Sequence, residues 1–209
     1  MRLLGSLFNR RPVPRPEPRD AIDDKLNAVL IPLRNRVCDF KDVTAMSWAL
    51  ILPAIQRTSI RLFIQAHGRE STQKLLETMI RKMKNEHDIH PNVVRDISLY
   101  PDMSPEQLPQ LAKLNTLLWQ IADETIATGR PVEHVAEGFS RFVALVASRN
   151  ADLFGEFYAF GLVHASYREV QSGAFDDAEW SDPARCRLAC PKDSTPSFAS
   201  NPALPHATS

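Results

Sequence analysis

The feature that most constrains the fold is a helical period in the apolar residues of segment 132–146. Apolar side chains recur there at offsets 0, 3, 4, 7, 10, 11 and 14, at Val132, Val135, Ala136, Phe139, Phe142, Val143 and Val146. An α-helix has about 3.6 residues per turn, so this spacing aligns the side chains along one side of a helix. The segment therefore predicts an amphipathic helix that packs its apolar side against other helices.

Similar spacing predicts helices through most of residues 20–172. Predicted helix starts are Asp20, Asp42, Ser71 or Thr72, Ser104 or Pro109, Pro131 and Asp152, and predicted ends are Gly68, Gly129, Asn150 and Gly173. Pro32 is expected to bend or end the first helix, and Pro53 to kink or break the second. No segment alternates with period two, so no strands are expected. The prediction is an all-α fold, a single bundle of about five to seven helices with central members near 43–67 and 152–171.

Two tails flank the predicted bundle. Residues 1–19 contain five arginines and four prolines, a composition that favours an extended linker. Residues 173–209 are rich in Asp, Ser, Pro, Ala and Thr and show no period. Both tails are therefore predicted to be disordered. Phe175 and Trp180 are candidates to dock back on the bundle.

The charge balance narrows the choice of partner. The chain has 25 bases and 25 acids, and residues 20–172 carry 17 of the bases and 19 of the acids. A nucleic-acid-binding domain usually has one strongly basic face, so nucleic acid is not an expected partner. Seven glycines without a cluster argue against the phosphate-binding loops of nucleotide-binding folds. No cofactor is predicted, and the sequence carries no motif that identifies a reaction.

Cysteine content and hydropathy favour the cytoplasm. The three cysteines, Cys38, Cys186 and Cys190, lack the spacing of a disulfide framework and suggest reduced thiols. The longest uncharged run, Val43–Gln56, has 14 residues, fewer than the roughly 20 that a bilayer-spanning helix needs. We therefore expect a cytoplasmic protein, with peripheral membrane contact as an alternative.

The first eleven residues are the candidate for such contact. Leu3, Leu4, Leu7 and Phe8 have the spacing of one face of a short helix, and arginines surround them. Such a segment can lie on an anionic membrane surface or dock on a partner protein. The alternative interpretation is an unstructured start of the chain.

A short histidine-containing segment is a candidate metal site. Residues 86–90 hold two histidines and two carboxylates, and His87 and His90 are the candidate ligands. The spacing matches no standard zinc site. The simpler interpretation is a solvated helix end, where histidine also complements the negative end of the helix dipole.

Aromatic residues crowd the last two predicted helices. Small residues lie among these aromatic side chains and leave room for an apolar ligand. The candidates to line such a pocket are His164, Phe139, Phe142, Phe157 and Phe160. The alternative is an aromatic core with one hydrogen-bonded histidine.

These observations favour a non-catalytic interaction, adaptor or regulatory module, with a protein partner or self-association. The first alternative is a ligand-binding protein or enzyme whose site lies inside the bundle, near the aromatic cluster of the last two helices. The second is a peripheral membrane protein recruited by its N-terminus.

Overall fold

The computed structural model describes residues 19–87, 89, 97–173 and 175, with side chains from Leu26 onward. Within these residues the chain forms seven α-helices and no strand, which confirms the all-α prediction. They are α1 (Arg19–Thr44), α2 (Trp48–His67), α3 (Arg69–Glu86), α4 (Leu108–Ala127), α5 (Val132–Arg149), α6 (Ala151–Phe154) and α7 (Tyr158–Ser172). The tails predicted to be disordered, residues 1–19 and 173–209, lie outside the described residues, apart from Arg19, Gly173 and Phe175.

α1 is longer than the sequence predicts. It continues through Pro32 and past Asp42, so the predictions that Pro32 ends a helix and that Asp42 starts one are wrong. Leu33 and Val37 extend the buried stripe beyond the proline, and Pro32 itself is exposed. Burial of each contributes about 1.5–3 kcal/mol, which together offsets the roughly 3 kcal/mol cost of a proline inside a helix.

α2 is the central helix. Every residue from Leu50 to Ile60 is buried, and α2 contacts α3, α4, α5 and α7. The uncharged run predicts this central position. The helix is continuous across Pro53, so the predicted break there is wrong. Gly68 ends the helix as predicted, with φ of 76° and its N–H donating to the carbonyl of Ile64.

Buried polar side chains fix the position of α2 relative to its neighbours. The Ser59 hydroxyl donates to the carbonyl of Ala136 on α5 at 2.7 Å. The Gln56 amide donates to the Ser166 hydroxyl on α7 at 3.2 Å. A buried polar group is costly without a partner, so a sliding of α5 or α7 along α2 would be opposed by the loss of these bonds.

The C-terminal part of the bundle departs from the predicted single helix at 152–171. Gly155 adopts a φ of 82° and separates the short α6 from α7. α7 packs along α3, and the Arg69 guanidinium at the start of α3 donates to the carbonyl of Val170 near the end of α7. Gly173 caps α7 as predicted, and Phe175 docks in the core at 8% exposure.

Two other helix starts differ slightly from prediction. α3 begins at Arg69 rather than at Ser71 or Thr72. α4 begins at Leu108, one residue before the predicted alternative start at Pro109. Half of the predicted capping box forms just before it, since the Ser104 N–H donates to the Gln107 side chain at 3.0 Å.

α1 and α5 approach each other closely at a glycine. A Cβ atom added to Gly138 would lie 2.5 Å from Cγ1 of Val29 and 2.8 Å from its Cβ. Both residues are buried, and α5 also packs on α2. The absence of a side chain at position 138 therefore sets the distance between α1 and α5.

We expect Gly138→Ala to lower the free energy of unfolding by about 1–3 kcal/mol, since the new methyl group would force the two helices apart. The gain in helix propensity, about 1 kcal/mol, only partly offsets this cost. Chemical denaturation measures the change. In a Val29→Ala background the cost should fall, because the contacting methyl groups are gone. An equal cost in both backgrounds would contradict this explanation.

Candidate docking groove

An open groove with a volume of about 450 Å3 lies between α1 and the C-terminal half of α5. Trp48, the first residue of α2, also lines it. Six of its lining side chains are large and apolar, namely Leu30, Ile31, Trp48, Phe142, Leu145 and Val146. The groove therefore offers an apolar surface at an edge of the bundle.

Two of these apolar side chains are strongly exposed. Ile31 is 56% exposed and Leu145 is 48% exposed, and they come from opposite walls, α1 and α5. Neither belongs to the buried stripe of its helix, because Val29 and Leu33 on α1 and Phe142 and Val143 on α5 face the core. Both are thus left uncovered by the bundle.

Two aromatic rings that line the groove contact each other. The ring centroids of Trp48 and Phe142 lie 6.3 Å apart at an interplanar angle of 57°, a common geometry for favourable aromatic contact. Phe142 is almost fully buried, and the Lys41 ammonium lies 5.8 Å from the Trp48 ring centroid. These contacts restrict the positions of the two rings.

The charged groups of the groove all have one sign. Arg34 on α1 and Arg149 on α5 line it, and no acidic side chain does so among the described residues. Both arginines are exposed, and neither forms an ion pair with another described residue. The free thiol of Cys38 also lies in the groove and is half-buried. The groove is consequently apolar with a cationic rim.

The structure brings three of the five residues predicted to line a ligand pocket close together, namely Phe157, Phe160 and His164. Phe142 lies in the groove, whereas Phe139 is fully buried in the main core. Phe160 belongs to a separate small cluster, against which Phe157 packs. His164 lies beside Phe160, with ring centroids 6.2 Å apart. A ligand site around His164 stays a prediction.

His164 has an unusual environment between α3 and α7. Its Nδ1 atom is buried and has no hydrogen-bond partner among the described residues. Burial lowers the pKa of His164 below its usual value of 6.5, and the positive charges of Arg168 and Lys84 lower it further. The imidazole is therefore neutral at physiological pH.

The other candidates are only partly described. His87 is exposed, and its ring centroid lies 6.5 Å from that of Phe157. His90 and the N-terminal residues Leu3, Leu4, Leu7 and Phe8 lie outside the described residues. Within the part of the chain that the structure describes, no three His, Cys, Asp or Glu side chains are grouped as a metal site requires.

Comparison of the chain with profiles of known protein families, with curated proteins and with solved structures finds no match. Across the described helices, none combines the length and the apolar character that crossing a membrane requires. The chemistry of the groove is therefore the main guide to function.

Most groove residues carry only a faint sequence signal. Leu145 lies at offset 13 in the α5 segment, off the apolar stripe, and Ile31 lies off the stripe that contains Leu26, Val29 and Leu33. A large apolar residue on the polar side of an amphipathic helix is the signal that points to a second buried surface.

The environment of His164 generates a pH prediction. The pKa of His164 is lower in the folded chain than in the unfolded chain. The free energy of unfolding is therefore not reduced by His164 above about pH 6.5, and it falls as the pH drops through the folded-state pKa. His164→Gln removes this proton uptake. We expect the difference in unfolding free energy between pH 7.5 and pH 5 to shrink in this variant, as measured by urea denaturation.

The matched control for this measurement is Gln171→Asn, which alters an exposed side chain that has no titrating group and lies on the same helix. It should keep the wild-type difference between the two pH values. A His164→Gln chain with an undiminished difference would contradict the assigned role of His164.

Proposed function

We propose that the chain is a non-catalytic interaction module whose groove between α1 and α5 binds an apolar, acidic segment of a protein partner. The observation that carries this proposal is the pairing of exposed Ile31 and Leu145 across the groove, next to Arg34 and Arg149. No acidic residue among the described lining side chains balances these arginines.

The apolar part of the groove would supply the affinity. Exposed apolar patches rimmed by polar groups commonly mark interaction sites. Covering them gains about 25 cal/mol for each Å2 of apolar surface removed from water. An amphipathic helix with anchors at i, i+3 or i+4 fits such a groove between two helices.

The arginines would supply the selectivity. A guanidinium can bind a carboxylate through two parallel hydrogen bonds, and its positive charge attracts acidic segments and repels basic ones. Since Arg34 and Arg149 lie on different helices, a bound segment with carboxylates on both sides of its apolar anchor would engage both.

A small amphiphilic ligand is the second candidate. A volume of about 450 Å3 lies within the range of small-molecule sites, which is roughly 300–1,000 Å3. The same groove would then hold a ligand with an apolar body and a carboxylate. Open access along the bundle edge and two separated arginines favour a peptide over this alternative.

The proposed location is the cytoplasm. The half-buried thiol of Cys38 in the groove is free, which fits a reducing compartment. The membrane-surface role of residues 1–11 concerns residues outside the described part of the chain and stays a prediction.

Selection from a display library of random 12-residue peptides tests the proposal. Peptides selected on the wild-type chain should combine an aromatic or leucine anchor with flanking Asp or Glu. We expect Ile31→Asp, which places a carboxylate between the walls, to weaken their binding at least tenfold by fluorescence anisotropy. Val43→Asp is the matched control, because Val43 is 87% exposed and lies outside the groove lining.

A charge reversal sharpens this test. The double variant Arg34→Glu and Arg149→Glu should select peptides with Lys or Arg in place of the acids. Selected peptides without acidic enrichment, or equal binding to Ile31→Asp and wild type, would contradict the proposal. Binding of decanoate but of no peptide would favour the small-ligand candidate.

A further inference from the structure

The C-terminal part of the chain contains a cluster of acidic residues, and the described lining of the groove contains none. Residues 176–182 read Asp-Asp-Ala-Glu-Trp-Ser-Asp, which places four carboxylates around Trp180 without any base. The described lining of the groove has two arginines and no acid. Tryptophan is enriched among residues that dominate binding energy, because it buries a large area at a small cost in side-chain entropy.

We propose that residues 176–182 of one copy of the chain dock in the groove of a second copy. Trp180 would lie between Ile31 and Leu145, and the flanking carboxylates would pair with Arg34 and Arg149. This inference rests on the proposed function, the binding of acidic apolar segments in this groove. It adds the identity of a segment that the groove binds.

Residues 176–182 differ in charge from the N-terminal tail. Leu3, Leu4, Leu7 and Phe8 are also apolar, but Arg2, Arg10 and Arg11 surround them. Placing these arginines beside Arg34 and Arg149 would bring like charges together, which costs free energy. Of the two tails, the C-terminal one therefore complements the groove.

The geometry of the bundle favours docking of the segment on a different copy. Trp48 lines the groove at the start of α2. The end of α7 lies at the other end of α2, because Arg69, two residues after α2 ends, donates to the carbonyl of Val170. α2 has 20 residues and is about 30 Å long at 1.5 Å per residue.

Docking within one copy would require an almost fully extended chain. From Ser172, the last residue of α7, eight residues lead to Trp180 and span at most about 29 Å when fully extended. The left-handed turn at Gly173 and the burial of Phe175 in the core shorten this reach further. A second copy has no such limit, and a reciprocal exchange of segments gives a closed, two-fold symmetric dimer.

Sedimentation velocity of the full-length chain over a range of concentrations tests the inference. We expect a dimer that dissociates on dilution and weakens as salt is added. Trp180→Ala and Ile31→Asp should each raise the dimer dissociation constant at least tenfold. Phe198→Ala, which removes another aromatic residue of the same tail, is the matched control and should leave the constant unchanged.

Mixing the two weakened variants separates exchange between copies from docking within one copy. The Trp180→Ala chain keeps an intact groove, and the Ile31→Asp chain keeps an intact tail, so the mixture should form a heterodimer with one docked segment. A wild-type chain that stays monomeric, a dimer that survives Trp180→Ala, or a mixture without heterodimer would overturn the inference.

The same measurements distinguish its failure from failure of the proposed function. If the wild-type chain is monomeric but library-selected acidic peptides still require Ile31 for binding, only the exchange of the tail is wrong. If those peptides bind Ile31→Asp equally well, the groove is not a docking site, and both proposals fail. Thermal unfolding temperatures of Ile31→Asp and Trp180→Ala that equal the wild-type value, measured at a concentration where all three chains are monomeric, exclude misfolding as the cause of lost binding.

Discussion

The burial of α2 is the constraint on which the rest of the structure depends. Because every side chain from Leu50 to Ile60 is covered, helices have to pack around this segment on all sides. Its buried polar groups then restrict how they pack, since Gln56 bonds to α7 and Ser59 bonds to α5. The apolar interior stabilises the bundle, and these few hydrogen bonds select one arrangement of its helices.

The groove follows from this arrangement. α5 is held against α2, and α1 reaches α5 at Gly138, where the two helices nearly touch. Further along, the side chains of Ile31 and Leu145 lie exposed on the two walls, and no other described helix covers them. The surface beside the close contact at Gly138 is therefore open and apolar.

The sequence predicts the fold far better than the groove. The stripe of α5 and the helix ends at Gly68 and Gly173 were predictable, because they depend on local spacing and local backbone conformation. The path of α1 through Pro32 was not, since burial of later residues outweighs a local helix breaker. Of the residues that line the groove, only Phe142 was proposed from the sequence as a candidate ligand-binding residue. The exposure of the others depends on which helix lies opposite, and that information is tertiary.

In the proposed function, charge separation within a neutral chain would give this groove its selectivity. The numbers of acids and bases are equal, yet arginines line the groove, basic residues surround the N-terminal apolar segment, and acids surround Trp180. Apolar contact alone would accept either tail, because both carry large hydrophobic side chains. Electrostatic complementarity contributes more to the choice of partner than to raw affinity. In the proposed docking, two arginines on separate helices would therefore disfavour the basic tail of the chain and favour the acidic one.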